Sequence, residues 1–182
     1  AYNGFTVELI LTRYPDLKSI KDLGSFIQSP WKKKFFKLLG EDRHLDWIEH
    51  EQLRPNYAEP RVHAAVNCAS IGCPMLREEA YVAERLDAQL EQQTQRFLSD
   101  RARNRYNAES GRLEVSKIHD WFKVDWQSGY RGFDGKTAPI ASREAWFARY
   151  AALLADSQDA RRQVAEGKAP LAFLEYDWSL ND

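Results

Sequence analysis

At 182 residues the chain is long enough to bury a substantial core within one domain. Hydrophobic residues at 43% and charged residues at 29% form an ordinary globular balance, and a 13% aromatic content with six Trp excludes a disordered chain. The net charge of −1 argues against a nucleic-acid partner, and no apolar run approaches the length of a membrane span.

The chain opens on Ala1-Tyr-Asn-Gly without Met, as expected of a processed or trimmed piece. Phe5 to Tyr14 is apolar-rich and ends before Pro15, which predicts a helix. Ser19 to Ile27 predicts a second, short helix that Gly24 weakens and Pro30 stops. The run from Trp31 to Leu39 meets the turn signal Gly40-Glu-Asp, so a hairpin into His44-Leu45 follows. Asp46 is a natural N-cap for a helix from Trp47 to Arg54, closed by Pro55. The segment Arg61 to Asn67 reads equally as buried strand or short helix. After Pro74 the longest helix is expected, from about Val82 to Arg103, with Leu86, Leu90, Phe97 and Leu98 on one stripe.

Asn107-Ala-Glu-Ser-Gly111 is a turn, and Arg112 to Val115 alternates like a strand. Ser116 caps the next short helix. Ala141 to Ala155 predicts an amphipathic helix with Trp146, Phe147, Tyr150, Leu153 and Leu154 inward. Gly167 closes a further helix, and Leu171 to Tyr176 reads as a final strand. These elements compose one helix-rich α+β domain with a small antiparallel sheet.

The chemistry concentrates in Arg61-Val-His-Ala-Ala-Val-Asn-Cys68-Ala-Ser-Ile-Gly-Cys73-Pro-Met-Leu, which holds both cysteines. Cys73 stands before the long helical pattern, where unpaired N–H groups and the positive end of the dipole favour a thiolate. A thiolate with an imidazole base is the minimal nucleophilic machinery of papain-like and transglutaminase-like enzymes. His50 is the first choice of base and His63 its rival, with Glu49 as a carboxylate to orient an imidazole, although adjacent helix residues point apart. Arg54, one turn beyond His50, and Arg61 offer planar forks for a substrate carboxylate, and Asn67 joins them as a polar contact. The alternative for Cys68 and Cys73 is a packed or disulfide-bonded structural pair, which removes the nucleophile. His119 is assigned to surface or packing, and Trp121 to Trp126 either walls a pocket or packs in the core.

No metal and no cofactor is expected. Cys68, Cys73, His50 and His63 nominally suit zinc, but their spacing is unlike paired zinc elements. Gly129, Gly132 and Gly135 lack the strand-to-helix frame of a phosphate loop.

Several blocks together carry a family resemblance. They are Ala1-Tyr-Asn, Tyr14-Pro-Asp-Leu-Lys-Ser-Ile-Lys-Asp, Leu45-Asp-Trp-Ile-Glu-His-Glu-Gln-Leu-Arg and Arg61-Val-His-Ala-Ala-Val-Asn-Cys. Gly72-Cys-Pro-Met-Leu, Ser116-Lys-Ile and Tyr176-Asp-Trp-Ser-Leu-Asn complete the set. Through them the chain resembles the bacterial branch of the domain of unknown function family 547 over nearly its whole length. The family pattern begins with a Trp-Ile-Asn-like lead before Ala1, so the resemblance implies a truncated first element. It also implies a periplasmic or envelope location. Two functions are carried forward: a cysteine-dependent hydrolase or acyl-transferase acting on an amide or thioester of a small molecule or peptide, and a non-catalytic binding module for a peptide or small anion. Oligomeric state is not read from the sequence.

Overall fold

The computed structural model describes residues 1–127, 130, 131, 137, 138, 140 and 142–181. The fold is α+β and rich in helix, as expected. The chain divides into two compact units: Ala1–Tyr57, Val66–Leu76 and Asp177–Asp182 form the first, Ala58–Ala65 and Arg77–Tyr176 the second.

In the first unit, helix α1 (Tyr2–Leu11) buries Tyr2, Thr6, Leu9 and Ile10, which share one face at helical spacing. It begins before the predicted start and ends earlier. A 3-10 turn at Ile20–Leu23 replaces the longer helix expected there. Ser19 and Asp22 close it with a capping box. Strands β1 (Phe36–Leu38) and β2 (Glu41–Arg43) form the expected hairpin. Its corner residues Leu39 and Gly40 both have positive φ, 55° and 84°, the requirement of a tight type I′ turn. Phe5 stacks on Phe36 at 3.7 Å, and Leu9, Ile20 and Leu45 are buried in the same cluster.

The helix at Trp47–Leu53 is a π-helix that runs into α2 (Arg54–Asn56), past Pro55. Proline lacks an N–H and its ring crowds the carbonyl four residues back. A wider turn relieves that conflict, and the Arg54 N–H accordingly bonds to the Glu49 carbonyl, five residues back. The cap is also not the expected one. Asp46 makes no capping bond; the Trp47 N–H donates to His44 Nδ1 at 3.0 Å.

In the second unit the ambiguous segment is helical, α3 (Val62–Ala65). A 3-10 turn at Ala83–Arg85 leads into α4 (Leu86–Ser99), shorter than predicted at both ends. Its buried face includes Gln89 beside Leu90, Phe97 and Leu98. The Gln89 amide accepts from the Val82 N–H and donates to the Ala80 carbonyl, both at 2.9 Å, and so clips the preceding segment.

Strands β3 (Arg105–Asn107) and β4 (Arg112–Val115) pair antiparallel around the Gly111 turn. Short helices α5 (Ile118–Trp121) and α6 (Lys123–Gln127) follow, the first with Ser116 Oγ accepting from the Ile118 N–H. Strands β5 (Tyr130–Arg131) and β6 (Thr137–Ala138) form a two-stranded ribbon. The three glycines at 129, 132 and 135 lie outside the described residues, as does residue 141 of the next predicted helix.

That helix is two pieces, α7 (Arg143–Ala148), capped by Ser142, and α8 (Ala151–Leu154). Trp146, Phe147 and Leu154 are buried as expected, while Tyr150 and Leu153 are half-buried. Helix α9 (Gln158–Ala165) ends at Gly167, whose φ of 65° and the Lys168 N–H bond to the Gln163 carbonyl complete a left-handed cap. Strand β7 (Leu171–Phe173) joins β4 in parallel, so the three-stranded sheet is mixed rather than wholly antiparallel. Among the described residues no helix is long and apolar enough to cross a membrane.

Candidate functional site

The first unit holds both sulfurs. Cys68 and Cys73 are joined as a disulfide with their Cα atoms 6.3 Å apart. The turn that carries them is pinned by hydrogen bonds. Asn67 Oδ1 accepts from the Ala69 N–H and its Nδ2 donates to the Pro74 carbonyl, both at 2.7 Å. The Cys73 N–H closes back on the Ser70 carbonyl at 2.9 Å. The C-terminal segment ties down the other edge, where the Ile71 N–H reaches the Ser179 carbonyl and the Gly72 N–H the Asp177 carbonyl. Asn67, expected as a substrate contact, is 6% exposed and has its amide engaged in shaping this turn.

Cys73 is buried and Cys68 half-buried. The backbone N–H of Cys68 donates to Cys73 Sγ at 3.0 Å, and Ser70 Oγ lies 3.3 Å from the same sulfur. Donors of this kind stabilise negative charge on sulfur. The source of that stabilisation differs from the expected one. Cys73 does not stand at a helix N-terminus, because no helix begins between Cys73 and Ala83. A residue preceding proline is pushed out of the helical region, and the chain runs through non-helical backbone after Pro74.

His50 and Glu49 lie on the π-helix of the same unit. His50 Nδ1 is 3.1 Å from an Arg54 guanidinium nitrogen, and its Nε2 is 3.7 Å from Asp46. Its ring thus sits between a cation and a carboxylate. Glu49 is buried and its carboxylate accepts from the Tyr2 hydroxyl, away from the neighbouring imidazole. Burial first, and then the Glu49 charge, hold the Tyr2 phenol well above its ordinary range. The Trp47 ring is covered by the Arg43 guanidinium at 4.1 Å.

The second unit holds the other imidazole. His63 Nε2 is 2.7 Å from Asp125 Oδ2, and the His63 side chain is 1% exposed. The ring stacks on Phe122 at 4.1 Å and tilts against Trp126 at 5.9 Å. A carboxylate on one ring nitrogen fixes the tautomer and the ring plane, which is what a general base requires. Asp125 is the partner of His63 that sequence reasoning missed. It lies 62 positions away, inside an aromatic segment that reads as core.

His119 lies deeper in the same unit, 1% exposed, with Phe97, Trp126 and Phe147 around it. It is a packing residue and not a surface one. Burial, then repulsion from His63, lowers its pKa to about 3, so it stays neutral. Arg61 is 4% exposed and its guanidinium faces Glu59, Asp87 and Glu91 at 2.8, 2.6 and 3.4 Å. A substrate carboxylate would have to displace one of these three. Among the described residues no group of three or more His, Cys, Asp and Glu side chains is placed to hold a metal ion.

Comparison with known proteins finds no match among curated proteins and none among solved structures. A family model, described as Protein of unknown function, DUF547, does match, over residues 1–98. The match spans α1, the π-helix, the His63 segment and the cysteine turn, and it distinguishes no branch of the family. The blocks Ser116-Lys-Ile and Tyr176 to Asn181 lie beyond it. The matched stretch covers more than half of the chain, so the chain belongs to the DUF547 family.

Proposed function

We propose that the chain is a cysteine-dependent hydrolase or acyl-transferase acting on an amide or thioester of a small molecule or peptide. The observation that carries this reading is the set of donors around one sulfur, the Cys68 N–H at 3.0 Å and Ser70 Oγ at 3.3 Å from Cys73 Sγ. Cys73 takes the role of nucleophile, and His50, on the π-helix of the same unit, that of the base, its ring set between Asp46 and Arg54.

In this reading the disulfide is a resting state. An external thiolate attacks the more exposed sulfur, that of Cys68, and the electron pair of the broken S–S bond leaves on Cys73 Sγ. The Cys68 N–H and the Ser70 hydroxyl stabilise that thiolate. A second external thiol resolves the mixed disulfide. The Cys73 sulfur, protonated by water to the thiol, passes that proton to the imidazole and forms an S–C bond to the acyl carbon; the C–N or C–S bond breaks, and the amine or thiol leaves with the proton returned by the imidazolium. Water, or an acceptor nucleophile, releases the acyl group. Disulfides persist in oxidising compartments. A periplasmic or envelope location, as the family resemblance implies, belongs to the same proposal.

Alkylation of the reduced protein by iodoacetamide, followed peptide by peptide across pH, tests the reading. Cys73 is expected to react faster than Cys68. His50→Ala is expected to slow Cys73 about tenfold or more. Equal and slow labelling of both cysteines, unchanged in His50→Ala, sinks the enzyme reading. The disulfide itself favours what then remains, a binding module whose cysteines are structural and whose His50–Arg54 face takes a peptide or small anion.

A further inference from the structure

Phe26 and Ile27 are 105% and 92% exposed, by far the most solvent-facing large apolar pair among the described residues. They occupy the two corners of a tight turn. The Ser25 N–H bonds to the Gln28 carbonyl at 2.9 Å, and the Gln28 N–H bonds to Ser25 Oγ at 3.1 Å. The base of the turn is close-packed. A Cβ on Gly24 would lie 2.7 Å from Pro30 Cδ and 2.9 Å from the Gln28 carbonyl oxygen, so only glycine fits where the two arms converge. The two apolar side chains are therefore held outward by ordered backbone.

Charge surrounds this tip. Residues 18–37 carry six lysines and one aspartate, a net of +5, whereas the whole chain is −1, which leaves −6 on the other residues. Asp22 is occupied in the capping box, Lys37 pairs with Asp42, and Lys21 lies over the Trp178 ring. Lys32, Lys33 and Lys34 are exposed, follow directly on the turn and have no ion pair among the described residues. An acidic chain thus concentrates unpaired positive charge beside its most exposed apolar pair.

We propose that the loop from Gly24 to Lys34 docks on an anionic lipid surface. Phe26 and Ile27 enter the boundary between headgroups and acyl chains, and Lys32, Lys33 and Lys34 meet the lipid phosphates. An acidic protein groove would take the lysines but has no use for two side chains projected fully into solvent. A bilayer interface matches both, apolar below and anionic above. The attachment is peripheral, and among the described residues no helix is long and apolar enough to span. It is independent of the cysteine chemistry.

Co-sedimentation of the full chain with large vesicles tests it, using phosphatidylcholine alone and phosphatidylcholine mixed with phosphatidylglycerol. Binding is expected only to the mixed vesicles, and it should weaken as salt rises. Replacing Lys32, Lys33 and Lys34 by Gln together is expected to lower the partition constant about a hundredfold. Phe26→Ser with Ile27→Ser should lower it about tenfold or more. All five side chains are exposed or half-free of the core, and circular dichroism of each variant confirms that it folds. No binding to mixed vesicles, equal binding to both kinds, or binding unchanged in either variant overturns the proposal. Capture by soluble polyglutamate that survives the Phe26/Ile27 change also overturns it, by assigning the lysines to an acidic polypeptide.

Discussion

The turn from Asn67 to Pro74 and the ring cluster around His119 organise their polar groups in opposite ways. In the turn, nearly every shape-giving contact is directional: Asn67 bonds both ends of it, and Ser70 and the Cys68 N–H face the Cys73 sulfur. In the cluster, both His119 ring nitrogens and the indole N–H groups of Trp126 and Trp146 have no hydrogen-bond partner among the described residues. Rings in van der Waals contact do the holding there. The difference has a chemical reading. A thiolate needs donors aimed at one atom, whereas burial among rings keeps His119 uncharged, with the Arg143 guanidinium donating to its backbone carbonyl at 3.2 Å.

Four changes break or sharpen this contrast. The largest effect is expected from Trp146→Ala, which empties a site 2% exposed and should cost about 3–5 kcal/mol in chemical denaturation. Asn67→Ala should cost about 2–4 kcal/mol, since it strands the Ala69 N–H and the Pro74 carbonyl at once. A loss well under 1 kcal/mol would show that the turn is not held by its bonds. Reduction of the Cys68–Cys73 disulfide, with its sequence separation of 5, should cost about 2 kcal/mol in midpoint shifts with and without reductant.

His119→Leu is expected to change stability at pH 7 by less than about 1 kcal/mol, because no hydrogen bond is lost. Its signature is in acid. Above pH 6.5 the ring is neutral in both states and contributes nothing to the pH dependence. As pH falls below 6.5 the unfolded chain binds a proton that the folded state, with a pKa of about 3, refuses. The wild type should therefore lose up to about 1.4 kcal/mol per pH unit from this group down to about pH 3. His119→Leu should lack that slope; an unchanged acid limb would mean that His119 is not the group resisting protonation.

What was legible in the sequence was mostly local. The Gly40 hairpin, the Gly111 turn and the Gly167 cap each depend on a residue whose left-handed conformation is signalled by its identity. The cysteine turn and the alternation at Arg112 to Val115 were equally visible. The readings that failed depend on contacts far apart or on uncommon local solutions. Asp125 pairs with His63 across 62 positions, and nothing in the pattern around Trp121 to Trp126 marks a carboxylate that holds an imidazole apart from a packed aromatic segment. His44 caps the π-helix although histidine is not among the favoured cap residues, and Pro55 is absorbed by a wide turn rather than ending the helix. The helix predicted across Arg149 and Tyr150 breaks there because its inward residues pack as two short segments. Cys73 was placed correctly in the chain and wrongly at a helix start, since proline after it reads as a beginning only when a cap precedes it.

Between the two sulfurs, Ala69 adopts φ of 58°. For an L-residue with a β-carbon that conformation costs roughly 1–2 kcal/mol. The position therefore has a narrow mutational tolerance set by backbone conformation as well as by its burial in the first unit's core. Glycine should be accepted in a saturation library at residue 69, and valine, isoleucine and threonine should vanish from it. Since the handedness of that single residue sets how far apart the cysteines emerge, tuning it is a way to alter how readily the bridge opens while leaving both sulfurs, and every group around them, chemically untouched.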